Sequence, residues 1–291
     1  MVGYFKVDFF LFPVGLFMVP DQLQKIKDKV NLLLVLVAVT TSSIAEQTYA
    51  QSASEKGLQV AKAVRAASSG FDSLTAELEM TLRNRQGNES KRTLRIKTLE
   101  TMGSGDKTIF VFDNPKDVKG TAFLIHSYKD KADDQWLYLP ALKRVKRIRS
   151  SNRSGSFMAS EFSYEDMITP EVEKFQHTWL RDESCVNLTC AVIELLPLEK
   201  DSGYSRQVAW YDTDAYRPWR VEYFDRRNNK HLKTLTYSDY THYEGKHWRP
   251  EKLSMVNHLT GKSTDLDWRN FNFGVKLSER DFTQTSLRRI R

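Results

Sequence analysis

The chain has 291 residues, 40% of them hydrophobic, 12% aromatic and 28% charged, with a net charge of +7. Enough apolar side chain is present to bury a sizeable core, which excludes a disordered chain, and 2 cysteines exclude a disulfide-dense scaffold. The positive balance favours contact with anionic surfaces such as phospholipid headgroups.

The first fifty residues read as an address rather than as structure. Lys25, Lys27 and Lys29 form a positive region, Val30 to Val39 (VNLLLVLVAV) is apolar apart from Asn31, and Thr48-Tyr49-Ala50 places small residues two apart before Gln51. This is the pattern of a secretory signal cleaved after Ala50. The apolar run is shorter than the ~20 residues that a membrane-spanning helix needs. Residues 1–17 are hydrophobic but broken by Lys6, Asp8 and Pro13, and Met18 stands just before the positive region, so Met18 is read as the true start. Residues 1–50 carry as many basic as acidic side chains, so the mature part, 51–291, keeps the full positive balance. It is read as one domain.

Helical spacing occurs once, from Ser54 to Ser68, where Leu58, Val60, Ala61, Val64 and Ala67 recur at three- and four-residue steps. Ser54 is the predicted N-cap and Ser68-Ser69-Gly70 the stop. From Phe71 onward the pattern is β. Leu74 to Leu82 alternates, a turn follows at Gly87-Asn88, and Thr93 to Leu99 alternates again. Further strands are predicted over 108–112, 122–126, 135–139, 192–197, 206–211, 219–225, 233–243, 248–257 and 263–273. Short turns and no intervening helices predict an antiparallel meander, and a sheet this long curls into a barrel or cups around something. The stretch from Arg149 to Lys174 is the least regular.

Several strands carry apolar residues on one face and aromatics on the other, as with Leu137 and Leu139 against Trp136 and Tyr138. One helix cannot cover that much apolar side chain, which points to a lined concavity. Candidate lining residues are Leu78, Met80, Phe110, Phe112, Phe123, Trp136 and Tyr138, with Phe157, Met158 and Phe162 as a candidate lid. Alternation leaves open which face points inward.

The basic run Lys143, Arg144, Lys146, Arg147, Arg149 and Arg153 lies next to Trp136 and Tyr138, a juxtaposition that also suits nucleic acid. The export signal argues against that partner. Leu142, Val145 and Ile148 interrupt the charges as in a solvated strand, where Lys and Arg also discourage edge-to-edge pairing. Contact with anionic lipid or an acidic protein partner is the functional alternative. Cys185 and Cys190, five apart in an exported chain, read as a disulfide closing a tight loop between two strands. No GxSxG, HExxH, CxxC or Gly-rich phosphate loop is present, so the sequence supports neither an enzyme nor a cofactor. His242 and His247 flank a predicted turn but lack a third metal ligand.

The segments DDQWLYLPALKRVKRI (133–148), SNRSGSFMASEFSYEDM (151–167), NPKDVKGTAFL (114–124) and WRNFNFGVKLSERDFTQTSLRR (268–289) resemble the outer-membrane lipoprotein-sorting protein family, the LolA-like group. The resemblance implies an α+β fold, an open antiparallel β half-barrel with covering helices, whose hollow binds acyl chains. It implies a periplasmic carrier of lipids or lipoproteins without catalysis, working with a membrane-embedded lipid exporter. The alternative is a lipid-sensing module that docks onto an envelope protein through the basic strand.

Overall fold

The computed structural model of the chain describes residues 28–29, 50–101 and 105–289. The expected Met18 start, residues 1–17 and most of the predicted export signal lie outside the described residues. Contacts divide the chain into Met1–Gln51 and Ser52–Arg291. Among the described residues, no helix is long and apolar enough to cross a membrane.

A helix, α1, occupies 50–68. It begins four residues before the predicted N-cap, so Ser54 lies inside it. The intervening Ala50 to Ala53 contains neither Gly nor Pro to stop the helix. The end falls as the sequence predicts, with Gly70 at φ +82°, the left-handed conformation that glycine adopts without steric cost.

Thirteen strands follow. They are β1 (Ser73–Arg83), β2 (Glu89–Leu99), β3 (Lys107–Asn114), β4 (Ala122–His126), β5 (Asp134–Leu139) and β6 (Arg144–Ile148). After an irregular stretch come β7 (Phe175–Cys185), β8 (Leu188–Pro197), β9 (Tyr204–Asp212), β10 (Pro218–Asp225), β11 (His231–Tyr243), β12 (His247–Asn257) and β13 (Ser263–Phe273). A short helix, α2 (Gln284–Leu287), ends the described chain. The strands form one antiparallel sheet in the order β6-β5-β4-β3-β2-β1-β13-β12-β11-β10-β9-β8-β7. Two meanders are thus joined by the first and last strands, with Leu78 opposite Trp268 and Met80 opposite Leu266. The sheet stays open, with β6 and β7 as its edges.

β7 is the strand that the sequence does not reveal. Its second half, Arg181 to Ser184, is polar, and a register shift between Trp179 and Arg181 breaks the alternation. The basic run forms β6, the other edge, with Lys143, Arg144, Lys146, Arg147 and Arg149 exposed.

The inner face carries the main core, including Leu94 and Ile96 of β2, Phe110 and Phe112 of β3, and Phe123 of β4. The opposite parity faces outward. There Ile109, Val111, Leu124 and Trp136 pack against Phe282 and Leu287 of the C-terminal segment. A separate outer cluster holds Cys190, Val192, Val208 and Trp210. Cys185 and Cys190 are disulfide-bonded across the β7–β8 turn, their Cα atoms 5.8 Å apart.

The chain between the two edges, 149–174, runs as a strap over the inner face. Phe157 is fully buried, its ring 5.1 Å from that of Phe123, 6.0 Å from Phe112 and 6.2 Å from Phe110. The serines around it serve the strap itself, Ser156 donating to the Ser160 carbonyl and Ser160 to the Phe157 carbonyl. Further along, Asp166 forms an ion pair with Lys233 of β11 and accepts from the Tyr204 hydroxyl at 2.7 Å. The paired carboxylate and ammonium are 2% and 5% exposed. The Asn257 side chain of β12 donates to Glu161 at 2.7 Å.

Helix α1 crosses the same face. Gly57 lies against the backbone of β7, so closely that a Cβ would stand 2.7 Å from the Trp179 nitrogen and 2.9 Å from Thr178. Lys56 pairs with Asp182, and Val60 enters the core.

Two stability measurements follow from these contacts. Lys233→Met strands a buried carboxylate and is expected to cost about 3–5 kcal/mol in urea unfolding; a loss below 1 kcal/mol contradicts the pinning role. Gly57→Ala pushes α1 off β7 and is expected to cost about 1–3 kcal/mol, against the usual gain from Gly→Ala within a helix.

Candidate functional site

The strap and α1 do not fill the inner face, and a cavity of about 500 Å³ remains between them and the sheet. One wall combines Ile96 and Phe110 of β2 and β3 with Leu195, Tyr211, Tyr237 and Leu253 of β8 to β12. Residues from strands so far apart in the sheet order can share one hollow only because the sheet curls. Met167, Ile168, Pro170 and Val172 of the strap form a second wall, and Ala61 and Val64 of α1 a third.

Three tyrosines, Tyr211, Tyr223 and Tyr237, line the hollow with hydroxyls that bond to no described residue. Burial pushes the Tyr211 phenol up to about 12, and burial likewise raises Tyr223 and Tyr237, so all three stay neutral donors.

Charged groups at the cavity's margins tie its walls together. Arg65 of α1 reaches Asp106, ahead of β3, and Glu171 of the strap, both at 3.2 Å. Burial raises the Asp106 carboxyl to about 6 despite the opposing pull of Arg65. Arg153 pairs with Glu199, Lys174 with Asp133, and Arg217 with Asp212 at 2.8 Å. Glu165 accepts the Gly203 N–H at 2.9 Å, and burial, with the neighbouring Asp166, raises it to about 7.

The predicted site residues separate into three places. Phe110 and Phe162 line the cavity. Leu78, Met80, Phe112, Phe123 and Phe157 are buried in the adjoining core, with Met158 packed at its border. Trp136 and Tyr138 face the other way, because in β5 it is Leu137 and Leu139 that share the inner parity, and they pack beneath the C-terminal segment. Of the residues expected as a lid, Phe157 and Phe162 are 0% and 2% exposed, with Phe157 wedged among three core phenylalanines. Arg153 is corrected. It is 3% exposed, donates to the Asp133 carbonyl at 3.1 Å, and so is no part of the exposed basic edge. Arg147 of that edge pairs with Asp134. His242 and His247 do not face one another; His242 stacks on Trp248 and His247 on Phe273. Among the described residues, no group of His, Cys, Asp and Glu could hold a metal.

Sequence reasoning missed Arg65, Tyr211, Tyr223, Tyr237 and Arg249. The tyrosines share parity with the buried Ala209, Val221 and Leu235 of their strands, and Arg65 stands four residues after Ala61 on the apolar side of α1. Those alternations carried the signal.

A fold made of one curled sheet, a covering helix and a strap around an apolar hollow is that of the LolA-like half-barrels. A family model described as an uncharacterized protein matches residues 104–289. No curated protein matches the chain. A domain of Vibrio parahaemolyticus described as that of an outer membrane lipoprotein-sorting protein is 48% identical, with a TM-score of 0.79 over 81% of this chain and 99% of that one. A DUF1329 family protein from Desulfovibrio piger is 29% identical, with a TM-score of 0.76 over 81% and 99%. A LolA superfamily protein from Nitrosomonas europaea shares the fold at 18% identity and a TM-score of 0.65, over 79% and 98%. The chain belongs to the family of outer membrane lipoprotein-sorting protein domains.

Glu165 has a measurable consequence. Its folded pKa of about 7 exceeds the unfolded value near 4.5, so the folded state binds its proton more tightly. Its contribution to stability is therefore present below about pH 4.5 and is lost as pH rises through 7. Glu165→Gln keeps an acceptor for Gly203 and removes the titration. Relative to wild type, the variant is expected to gain stability between pH 5 and pH 8 in urea unfolding; a constant difference contradicts the raised value.

Proposed function

We propose that this chain is a periplasmic carrier that binds acyl chains of lipids or lipoproteins in the cavity, in lipoprotein sorting or in lipid transport with an inner-membrane exporter. The observation that carries the reading is the apolar hollow of about 500 Å³ walled by the sheet, the strap and α1. That size falls within the about 300–1,000 Å³ of small-molecule sites. Each methylene moved from water into such a hollow contributes about 0.8 kcal/mol, so an apolar wall alone supports useful affinity. The description of the Vibrio relative as a lipoprotein-sorting domain supports the same reading. On it the protein acts by binding, not catalysis, and the mature chain begins after Ala50 as one domain, which the contact division at Gln51 supports.

A second reading rests on the exposed edge strand β6, where Lys143, Arg144, Lys146 and Arg149 make no ion pair with any described residue. This edge would meet anionic headgroups or an acidic envelope protein, either as the carrier's contact with its donor or as a docking module in its own right. Arg144→Glu with Lys146→Glu separates these roles from solubility, since unchanged vesicle and partner association assigns the charges to edge protection.

Lipid extraction and mass spectrometry of the purified full chain is expected to recover acyl lipid. Ala61→Trp, which narrows the cavity from the α1 side, is expected to reduce that recovery about tenfold or more. Absence of acyl lipid from the wild-type protein, together with no uptake of added fatty acid, overturns the carrier reading.

A further inference from the structure

The cations that line the cavity are Arg65, Arg153, Lys174, Arg217 and Arg249. All but one meet a carboxylate, as described above. Arg249 of β12 is the exception. Its guanidinium donates to the Trp248 carbonyl at 3.0 Å and to the Ser68 carbonyl, in the last turn of α1, at 3.1 Å. It makes no ion pair with any described residue. Glu100 acts on it across space, but that carboxylate accepts from the N–H groups of Gly70 and Asp72.

Its surroundings are apolar. The guanidinium lies 5.1 Å from the centroid of the Phe71 ring and 5.5 Å from that of Phe273. The side chain is half-buried, and that burial lowers its pKa. A half-buried guanidinium with donors to spare is better satisfied when an anion completes it. Its planar fork matches a carboxylate or a phosphate oxygen pair. The two backbone carbonyls hold the group in place at the end of the hollow where α1 finishes, next to Phe71 and Trp248.

We infer that the cavity takes an anionic amphiphile, whose acyl chain lies along the tyrosine-bearing wall and whose carboxylate or phosphate is bound by Arg249. The inference rests on the acyl-chain reading of the cavity and narrows it. An uncharged acyl group, such as a glyceride or a fully acylated peptide terminus, leaves Arg249 uncompensated.

The test compares charged and uncharged probes of equal chain length on the full chain at pH 8. One pair is cis-parinaric acid and its methyl ester, followed by fluorescence; the other is a monoacylglycerol phosphate and the corresponding monoacylglycerol, read by displacement of the ester. Wild type is expected to favour the charged member of at least one pair by about tenfold or more. Preference in the first pair assigns a carboxylate, and in the second a phosphate. Arg249→Gln is expected to abolish the preference while still binding the esters, and Arg249→Lys, which keeps the charge but not the fork, to retain only part of it. Equal binding of charged and uncharged probes by wild type overturns the inference and leaves the carrier reading standing. A preference that survives Arg249→Gln also overturns it. The wild-type comparison needs no variant to fold, and failure of all four probes to bind overturns the inference and the carrier reading together.

Discussion

The hollow exists because the chain that joins the two edges of the sheet is pinned across its inner face. A curled sheet with an apolar inner face tends to close on itself or bury that face against a neighbour. Here the strap takes that place. Phe157 fills one end among Phe110, Phe112 and Phe123, and the Asp166–Lys233 pair, with the Tyr204 hydroxyl, fixes the strap to β9 and β11. A buried ion pair adds little net stability over apolar packing, but it tolerates one geometry only. That selectivity suits a strap that must stand off the sheet instead of collapsing onto it. The helix adds the third wall, held at Gly57 by close approach to β7 and at Arg65 by carboxylates from two other elements.

Polar chemistry is arranged accordingly. Charges sit where the covering elements meet, and nearly all are paired with one another, so they hold the walls together without occupying the space between. The wall itself is mainly aliphatic and aromatic, relieved by tyrosine hydroxyls, by Thr98, Thr108 and Gln207 and, at one end, by Arg249. An interior of this kind binds through area and discriminates through a few polar groups.

The sequence announces the architecture more readily than the site. A continuous apolar run made β4 and alternation made β13 legible to the residue, and the interrupted charges of the basic run marked β6 as a solvated strand. β7 stayed hidden because an edge strand needs no buried face along its second half, and its register shift erases the period. For the site, alternation gives two faces but not which is inner. Trp136 and Tyr138 drew attention as aromatics, yet their side of β5 is covered by Phe282 and Leu287, more than a hundred residues further along the chain. Arg153 looked like one more charge of the basic run, although its partners, Glu199 and the Asp133 carbonyl, come from distant loops. Such long-range pairings leave no local trace.

The central claim is that the space under the strap and α1 is where a ligand lies. Photolabelling of the full chain with a diazirine-bearing fatty acid, mapped by peptide mass spectrometry, tests it directly. Adducts are expected on inner-face and strap residues such as Tyr237, Leu253 and Ile168, competed away by unlabelled fatty acid. Adducts confined to the outer face around Tyr138, or to the basic edge strand, would contradict it.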